Sequence, residues 1–262
     1  MTDPDVAGGA EGSEPRREDA PGTGESAVAA VREDEAADGL LAWPGFPFVA
    51  PLAAFLVLTS AEAELVPSLS YEVCYSLKVA LCALVLWFCR RAFPPWSSRG
   101  VAMAVSLGAA GCVVWVVLEV LQSEVLKAAG LAVWLPRRAG YEVELQGISV
   151  SRAIFVSVRL LGLCVLVPLL EELCWRGFLA PFLIDDDFRT IAAGTMTKRS
   201  FLIVVVAFTS MHPEILAAVV WCSGMNLLWM RTRNLWACVA AHASTNLLLG
   251  GYVLATRSWH LW

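Results

Sequence analysis

Two adjacent carboxylates interrupt an apolar stretch in the second half of this chain. Glu171 and Glu172 follow Leu169-Leu170, and Arg176 comes four residues after Glu172. Neighbouring residues on an α-helix point about 100° apart, so the two glutamates face different surroundings, while Glu172 and Arg176 share a face and can form an ion pair. This pattern leaves Glu171 facing a cavity, where a carboxylate can take a proton from water. Alternatively, a helix ends here at the membrane surface and all three side chains are solvated.

Two histidines and an amide occur in later apolar stretches. His212 ends one stretch and is followed by Pro213, which can begin the next helix. His242 and Asn246 are four residues apart in the last stretch, so their side chains stack on one helical face. A histidine can orient a water molecule, and a His–Asn pair can donate hydrogen bonds to a developing oxyanion. Taken singly, His212 is also explained as a helix cap or core residue, and the pair as hydrogen bonds that join helices.

The elements that carry these residues are strongly apolar. Hydrophobic residues make up 58% of the 262 positions and charged residues 16%, whereas soluble domains average about 45 to 50% and about 25%. A helix needs about 20 residues to cross the hydrocarbon core of a membrane. The sequence therefore predicts an all-α, polytopic transmembrane bundle of about seven to eight helices. The candidate spans are 43–59, 75–88, 101–121, 153–183, 201–211, 215–230 and 235–254, and an eighth, interfacial helix could lie within 125–135.

The charge distribution divides the chain and predicts its orientation. Residues 1–39 contain 11 of the 24 acidic residues, 3 of the 19 basic residues and no aromatic residue. They are expected to form a disordered, acidic cytoplasmic tail, with no secretory signal to be cleaved, ahead of a transmembrane helical domain at 40–262. Basic residues collect in the short connections 90–99, 189–199 and 231–233. Because such residues favour the cytoplasmic side, we expect a multi-pass protein of the cell (inner or plasma) membrane with a cytoplasmic amino terminus.

Ionisable side chains inside a membrane cost about 2.5 to 3.5 kcal/mol each on insertion, so they are functional candidates. One carboxylate, two histidines and an amide on three helices have the composition of a water-activating site. They can meet only if the fourth helix continues through Pro168 to Leu183, because this brings Glu171 to mid-depth beside His242.

In their order along the chain, these motifs resemble the CAAX-processing and bacteriocin-immunity (CPBP) family of intramembrane glutamic proteases. The family patterns are EExxxR, FxxxH and HxxxN/D on successive helices. The resemblance covers about 153–254, and each motif is weak alone, whereas the ordered set is fairly specific. The residues that carry it are Glu171, Glu172, Arg176, Phe208, His212, His242 and Asn246.

The resemblance implies a role for each of these residues. Glu171 is expected to act as the general base and His212 to help activate the water. His242 and Asn246 are expected to form the oxyanion hole, and the other three residues to support the helices that carry them. Family members cleave peptide bonds near the carboxyl end of a substrate, such as a prenylated CAAX protein or a bacterial sorting tag. We therefore expect membrane lipids and a protein or peptide with a carboxyl-terminal tag as partners, and no nucleic acid.

Three other functions fit the same residues. A zinc peptidase is the nearest alternative, because two histidines and a glutamate can bind catalytic zinc, although the sequence lacks HExxH. The resemblance favours a mechanism without a metal or other cofactor. A transporter could use these residues as a proton or ion path, but repeated halves are not visible. A non-enzymatic membrane scaffold or immunity protein could retain them for packing.

Overall fold

The computed structural model describes residues 42–65, 68–131 and 149–261. The predicted tail at 1–39 and residues 132–135 of the predicted eighth helix lie outside these ranges. The described residues form helices and no strand, so the all-α prediction is confirmed. The seven helices of this part of the chain are α1 (Phe46–Leu65), α2 (Tyr71–Cys89), α3 (Val101–Ala128), α4 (Val150–Phe182), α5 (Lys198–Thr209), α6 (Ile215–Thr232) and α7 (Leu235–Thr256).

Five of these helices are long and apolar enough to cross a membrane, judged by length and composition. They are α2, continued by a single turn to Ala92, and α3, α4, α6 and α7. The apolar part of α1, Phe46–Glu62, is shorter. Helix α5 has 12 residues and a length of about 18 Å, against about 30 Å for the hydrocarbon core. The prediction of seven crossings therefore included α5, which falls short of this length, and α1, whose apolar part is shorter than in the other five helices.

Helix α3 is longer than predicted. It runs from Val101 to Ala128 in 28 residues, because the polar residues after 121 include no helix breaker before Gly130. Gly130 has a positive φ of 70°, a left-handed conformation that glycine adopts without strain and that ends the helix. Residues 125–128 thus belong to α3 and do not begin a separate interfacial helix.

Helix α4 is continuous over 33 residues and includes Pro168, as the sequence analysis required. Two π-helical segments, Gly162–Leu166 and Leu173–Leu179, lie on either side of the two glutamates. Proline lacks the N–H that would bond to the preceding turn, and a locally widened turn accommodates this loss. Because α4 ends at Phe182, Glu171 lies 11 residues from this end, which is about 17 Å along the helix.

The polar residues of α4, of α7 and of the turn after α5 lie at the same depth. A capping box of Thr197 and Ser200 begins α5, which ends before Pro213 because the residue preceding a proline disfavours the helical conformation. His212 thus lies in the turn about 18 Å from the start of α5. Asn246 is 11 residues into α7, about 17 Å from the start of that helix. The connection between α4 and α5 contacts the one before α7, where a Cβ atom at Gly194 would lie 2.6 Å from Cγ of Arg233. All three depths are therefore measured from one end of the bundle.

Close packing of α3 against α7 fixes the helix that carries His242. The backbone of Gly108 approaches α7 so closely that a Cβ atom at this position would lie 2.3 Å from the carbonyl oxygen of Ala241. The Thr245 hydroxyl also donates a hydrogen bond of 2.8 Å to the carbonyl oxygen of Gly108. Two helices far apart in sequence are therefore held together beside the predicted site.

Candidate active site

Glu172 and Arg176 form a buried ion pair on α4. Arg176 Nη1 lies 3.0 and 3.1 Å from the two carboxylate oxygens of Glu172, and the two residues are 1% and 0% exposed. The other guanidinium nitrogen, Nη2, donates to Asn226 Oδ1 at 3.0 Å and to the carbonyl oxygen of Cys222 at 3.3 Å, both on α6. The predicted ion pair is present, and the alternative in which these side chains are solvated at a helix end is wrong.

Glu172 also contacts His242, which the sequence analysis did not predict. His242 Nδ1 lies 2.9 Å from Glu172 Oε1, and His242 is 4% exposed. A carboxylate between Arg176 and His242 accepts both hydrogen bonds, so Nδ1 of the imidazole carries a proton. The second ring nitrogen, Nε2, then accepts a hydrogen bond in the neutral ring and donates one only in the charged ring. Glu172 therefore sets the tautomer and orientation of His242.

Glu171 points away from this pair and lines a cavity. Its side chain is 7% exposed, and its Oε2 atom has no hydrogen-bond partner in the part of the chain that the structure describes. The cavity has a volume of about 160 Å³ and is also lined by His212, His242 and Asn246. A single water molecule needs about 10 to 15 Å³ by a comparable measure, so water and part of a peptide fit together. The structure thus brings together the four residues predicted to be catalytic.

His212 is both a helix cap and a cavity residue. Its Nδ1 atom lies 2.8 Å from the carbonyl oxygen of Phe208, near the end of α5, and this oxygen also accepts a hydrogen bond of 3.2 Å from the backbone N–H of Met211. The rings of His212 and Phe208 stack with their centroids 4.3 Å apart, and the ring of Trp115 makes a T-shaped contact with the imidazole at a centroid distance of 5.6 Å. Because a carbonyl only accepts, Nδ1 donates and Nε2 is the basic nitrogen of the neutral ring. The two functions proposed for His212, cap and water activation, use different ring nitrogens.

Asn246 joins two helices at the cavity. Its amide nitrogen donates a hydrogen bond of 2.8 Å to the carbonyl oxygen of Leu163, within the first π-helical segment of α4. This contact fits the alternative in which Asn246 bonds helices together. An amide has two N–H groups, however, so one remains for a further acceptor in the cavity. Structural and chemical use of this residue are compatible.

Three residues near the site were missed in the sequence analysis. Glu214 is 7% exposed and lines the same cavity, directly before α6. The signal for it was an acidic residue two positions after His212, between two apolar stretches. Asn226, fully buried, binds the guanidinium of Arg176, and the signal was an amide inside an apolar helix. Gln122 of α3 bonds to the backbone on both sides of Glu214, a contact that no local pattern indicates.

Metal binding was considered as an alternative. In the ranges described, no three His, Cys, Asp or Glu side chains are grouped so that they could hold a metal ion. The carboxylate of Glu172 is already bound by Arg176 and His242.

Comparison with known proteins gives a match to a protein family. Residues 153–248 match the family described as type II CAAX prenyl endopeptidase Rce1-like. No curated protein and no solved structure gives a significant match. The matched region extends from α4 into α7 and includes the three motifs, whose residues contribute to the lining of the cavity. Residues 153–248 of this multi-pass helical chain are therefore similar to the Rce1-like family of CAAX-processing endopeptidases, the family that its motifs resemble.

Proposed function

We propose that this protein is an intramembrane endopeptidase that cleaves near the carboxyl end of a membrane-associated protein, with a water molecule activated by Glu171. The family match supports endopeptidase activity on such substrates. The observation that carries the finer proposal is that Glu171 has an oxygen without a partner and lines a cavity together with two histidines and an amide. A buried carboxylate without a partner is costly, which is expected where the group must accept a proton during catalysis.

In the proposed reaction, Glu171 takes a proton from water as the oxygen attacks the carbonyl carbon of the scissile bond. His212 orients the water through Nε2, since its Nδ1 is held by the carbonyl of Phe208. The tetrahedral intermediate then collapses, the carbon–nitrogen bond breaks, and Glu171 returns the proton to the leaving amine. The products are a new carboxylate on the longer fragment and an amine on the released carboxyl-terminal fragment.

The oxyanion of the intermediate is stabilised by Asn246 and His242. Asn246 contributes the amide N–H that is not bonded to Leu163. His242 contributes Nε2–H, which requires the charged imidazole because Nδ1 already donates to Glu172. Fixed hydrogen-bond donors in a cavity with little water lower the activation free energy by several kcal/mol, and one such donor contributes about 3 to 4 kcal/mol in other enzymes.

The contact of Glu172 with His242 favours a second candidate for the base. A neutral His242 oriented by a carboxylate could itself take the proton from water through Nε2, as in a carboxylate–histidine pair of a hydrolase. In that case Glu171 would be dispensable for proton transfer, whereas in the proposed mechanism it is essential. Replacing Glu171 by glutamine separates these two candidates.

The substrate can be identified in cells. We would compare the carboxyl termini of all proteins in cells that carry the wild-type protein and in cells that carry Glu171→Gln. New carboxyl termini that occur only with the wild type are expected on membrane-associated proteins, and precursors should accumulate with the variant. Identical termini in both cells would contradict the endopeptidase function and would favour a scaffold or transporter.

A further inference from the structure

The cavity beside Glu171 contains a second carboxylate, which the proposed mechanism does not use. This group belongs to Glu214, which is 7% exposed and lies directly before α6. Within the described residues, no hydrogen bond or ion pair reaches its carboxylate. A carboxylate removed from water is unfavourable unless a hydrogen-bond donor or a cation approaches it. The oxygens of Glu214, unlike Oε2 of Glu171, are open to the cavity, where a charged group of a substrate can reach them.

The backbone around Glu214 is held in a fixed position by α3. The side chain of Gln122 donates a hydrogen bond of 2.9 Å to the carbonyl oxygen of Pro213 and accepts one of 2.9 Å from the backbone N–H of Leu216. Pro213 further restricts the chain because its ring fixes φ. The residues on both sides of Glu214 are thus anchored, so its position does not depend on a bound ligand.

The walls of the cavity favour a cation over an anion. Four aromatic side chains line it, namely Phe55, Trp115, Phe208 and Trp221. Aromatic faces attract ammonium and guanidinium groups, and more strongly where water is excluded. The described lining residues include two carboxylates and neither lysine nor arginine. A positively charged group next to Glu214 would therefore find favourable contacts with its carboxylate and with the aromatic rings.

We propose that Glu214 is a specificity-determining residue that binds a lysine or arginine side chain of the substrate close to the scissile bond. This inference rests on the proposed endopeptidase function, because Glu214 and Glu171 share one cavity. The aliphatic part of such a side chain packs against the aromatic walls, and its charged end pairs with the carboxylate of Glu214. Substrates with an acidic residue at the same position are excluded by repulsion between like charges.

The test uses the purified protein in detergent and a set of short apolar peptides. Within the set, one position holds lysine, norleucine or glutamate, and the peptides place this position at different distances from the scissile bond. The wild type should cleave the best lysine peptide with a kcat/KM at least about tenfold above that of the norleucine peptide, as expected for a close charge pair. In Glu214→Gln this ratio should fall towards one, and in Glu214→Lys the glutamate peptide should become the preferred one. Glu124→Gln removes an exposed carboxylate and should keep the wild-type ratio.

Equal rates for lysine and norleucine peptides with the wild type would overturn the inference. The inference would also be overturned if Glu214→Gln had the same lysine-to-norleucine ratio of kcat/KM as the wild type. This includes a loss of activity by the same factor for both peptides, because such a loss indicates a chemical or structural role. If the wild type cleaves no peptide, the endopeptidase proposal fails, and binding then decides the inference separately. The cation site is supported if the lysine peptide raises the melting temperature of the wild type more than the norleucine peptide does, and if the two peptides have the same effect on Glu214→Gln. Equal effects of the two peptides on the wild type overturn the inference.

Discussion

Nδ1 of His242 on α7 donates a hydrogen bond of 2.9 Å to Oε1 of Glu172 on α4, across 70 positions of sequence. The same carboxylate binds Arg176, so one buried group connects the support of α4 to a residue of the cavity. Glu172 and Glu171 are neighbours in sequence, yet one is fully paired and the other has an oxygen without a partner. This difference in surroundings assigns them different tasks.

Breaking the buried ion pair should destabilise the protein strongly. Glu172→Ala leaves the guanidinium of Arg176 without a carboxylate, and Arg176→Ala leaves the carboxylate of Glu172 without its guanidinium. Each change should lower the free energy of unfolding by about 3 to 5 kcal/mol. The melting temperature of the purified variants measures this effect. As a control, Lys127→Ala removes an exposed pair with Glu124 and should change stability by less than about 1 kcal/mol. Wild-type melting temperatures for both buried variants would show that the pair contributes little.

Gln122→Ala should impair catalysis more than stability. The change removes two hydrogen bonds, to Pro213 and Leu216, worth about 1 to 3 kcal/mol together, and frees the turn that holds His212. We expect a lower kcat, because the water-activating group loses its fixed position. Ser123→Ala is the matched control, since its hydroxyl bonds to Glu119 and not to the turn. A wild-type kcat in Gln122→Ala would refute this positioning role.

Gly108→Ala should separate α3 from α7. The new methyl group would lie 2.3 Å from the carbonyl oxygen of Ala241, so the helices must move apart, at a cost of about 1 to 3 kcal/mol. Gly224→Ala in α6 provides the comparison, because nothing lies within 4 Å of the added methyl group. That variant should be as stable as the wild type or more stable by up to about 1 kcal/mol. Thermal unfolding of both proteins tests the prediction, which fails if the two alanines have the same effect.

The proposed mechanism uses no metal, so strong chelators should leave the activity unchanged. Purified protein would be treated with a chelator, analysed for metal content and assayed for peptide cleavage. Loss of activity that stoichiometric zinc restores, at constant melting temperature, would favour the zinc peptidase instead.

Several features of the site were predictable because they depend on local helix geometry. Four-residue spacing placed Glu172 beside Arg176, and the composition indicated a helical membrane bundle. The common depth of Glu171 and His242 was also predictable, provided that α4 continues through Pro168. The partner of His242 could not be predicted, since two adjacent glutamates present similar sequence signals and only packing of α4 against α7 selects Glu172. Glu214 was missed for a related reason: its importance comes from the turn after α5, which Gln122 on a distant helix fixes.

The length of α5 shows the limit of hydropathy as a guide. Its apolar residues predicted a crossing, but the turn at Ser210 to Pro213 ends the helix after about 18 Å. This early ending brings His212 to the depth of Glu171. A full crossing would have carried it past the other residues.

Cleavage and folding measured on the same purified Glu171→Gln protein test the central claim most directly. Glutamine keeps the size of the side chain but cannot accept the proton, so we expect an unchanged melting temperature and cleavage reduced by a factor of about 10² to 10⁴. The double variant Glu171→Gln with His242→Ala should lose much less transition-state stabilisation than the sum of the two single losses, because both groups act on one transition state. A fully active, normally folded Glu171→Gln enzyme would contradict the account and would point to His242 as the base.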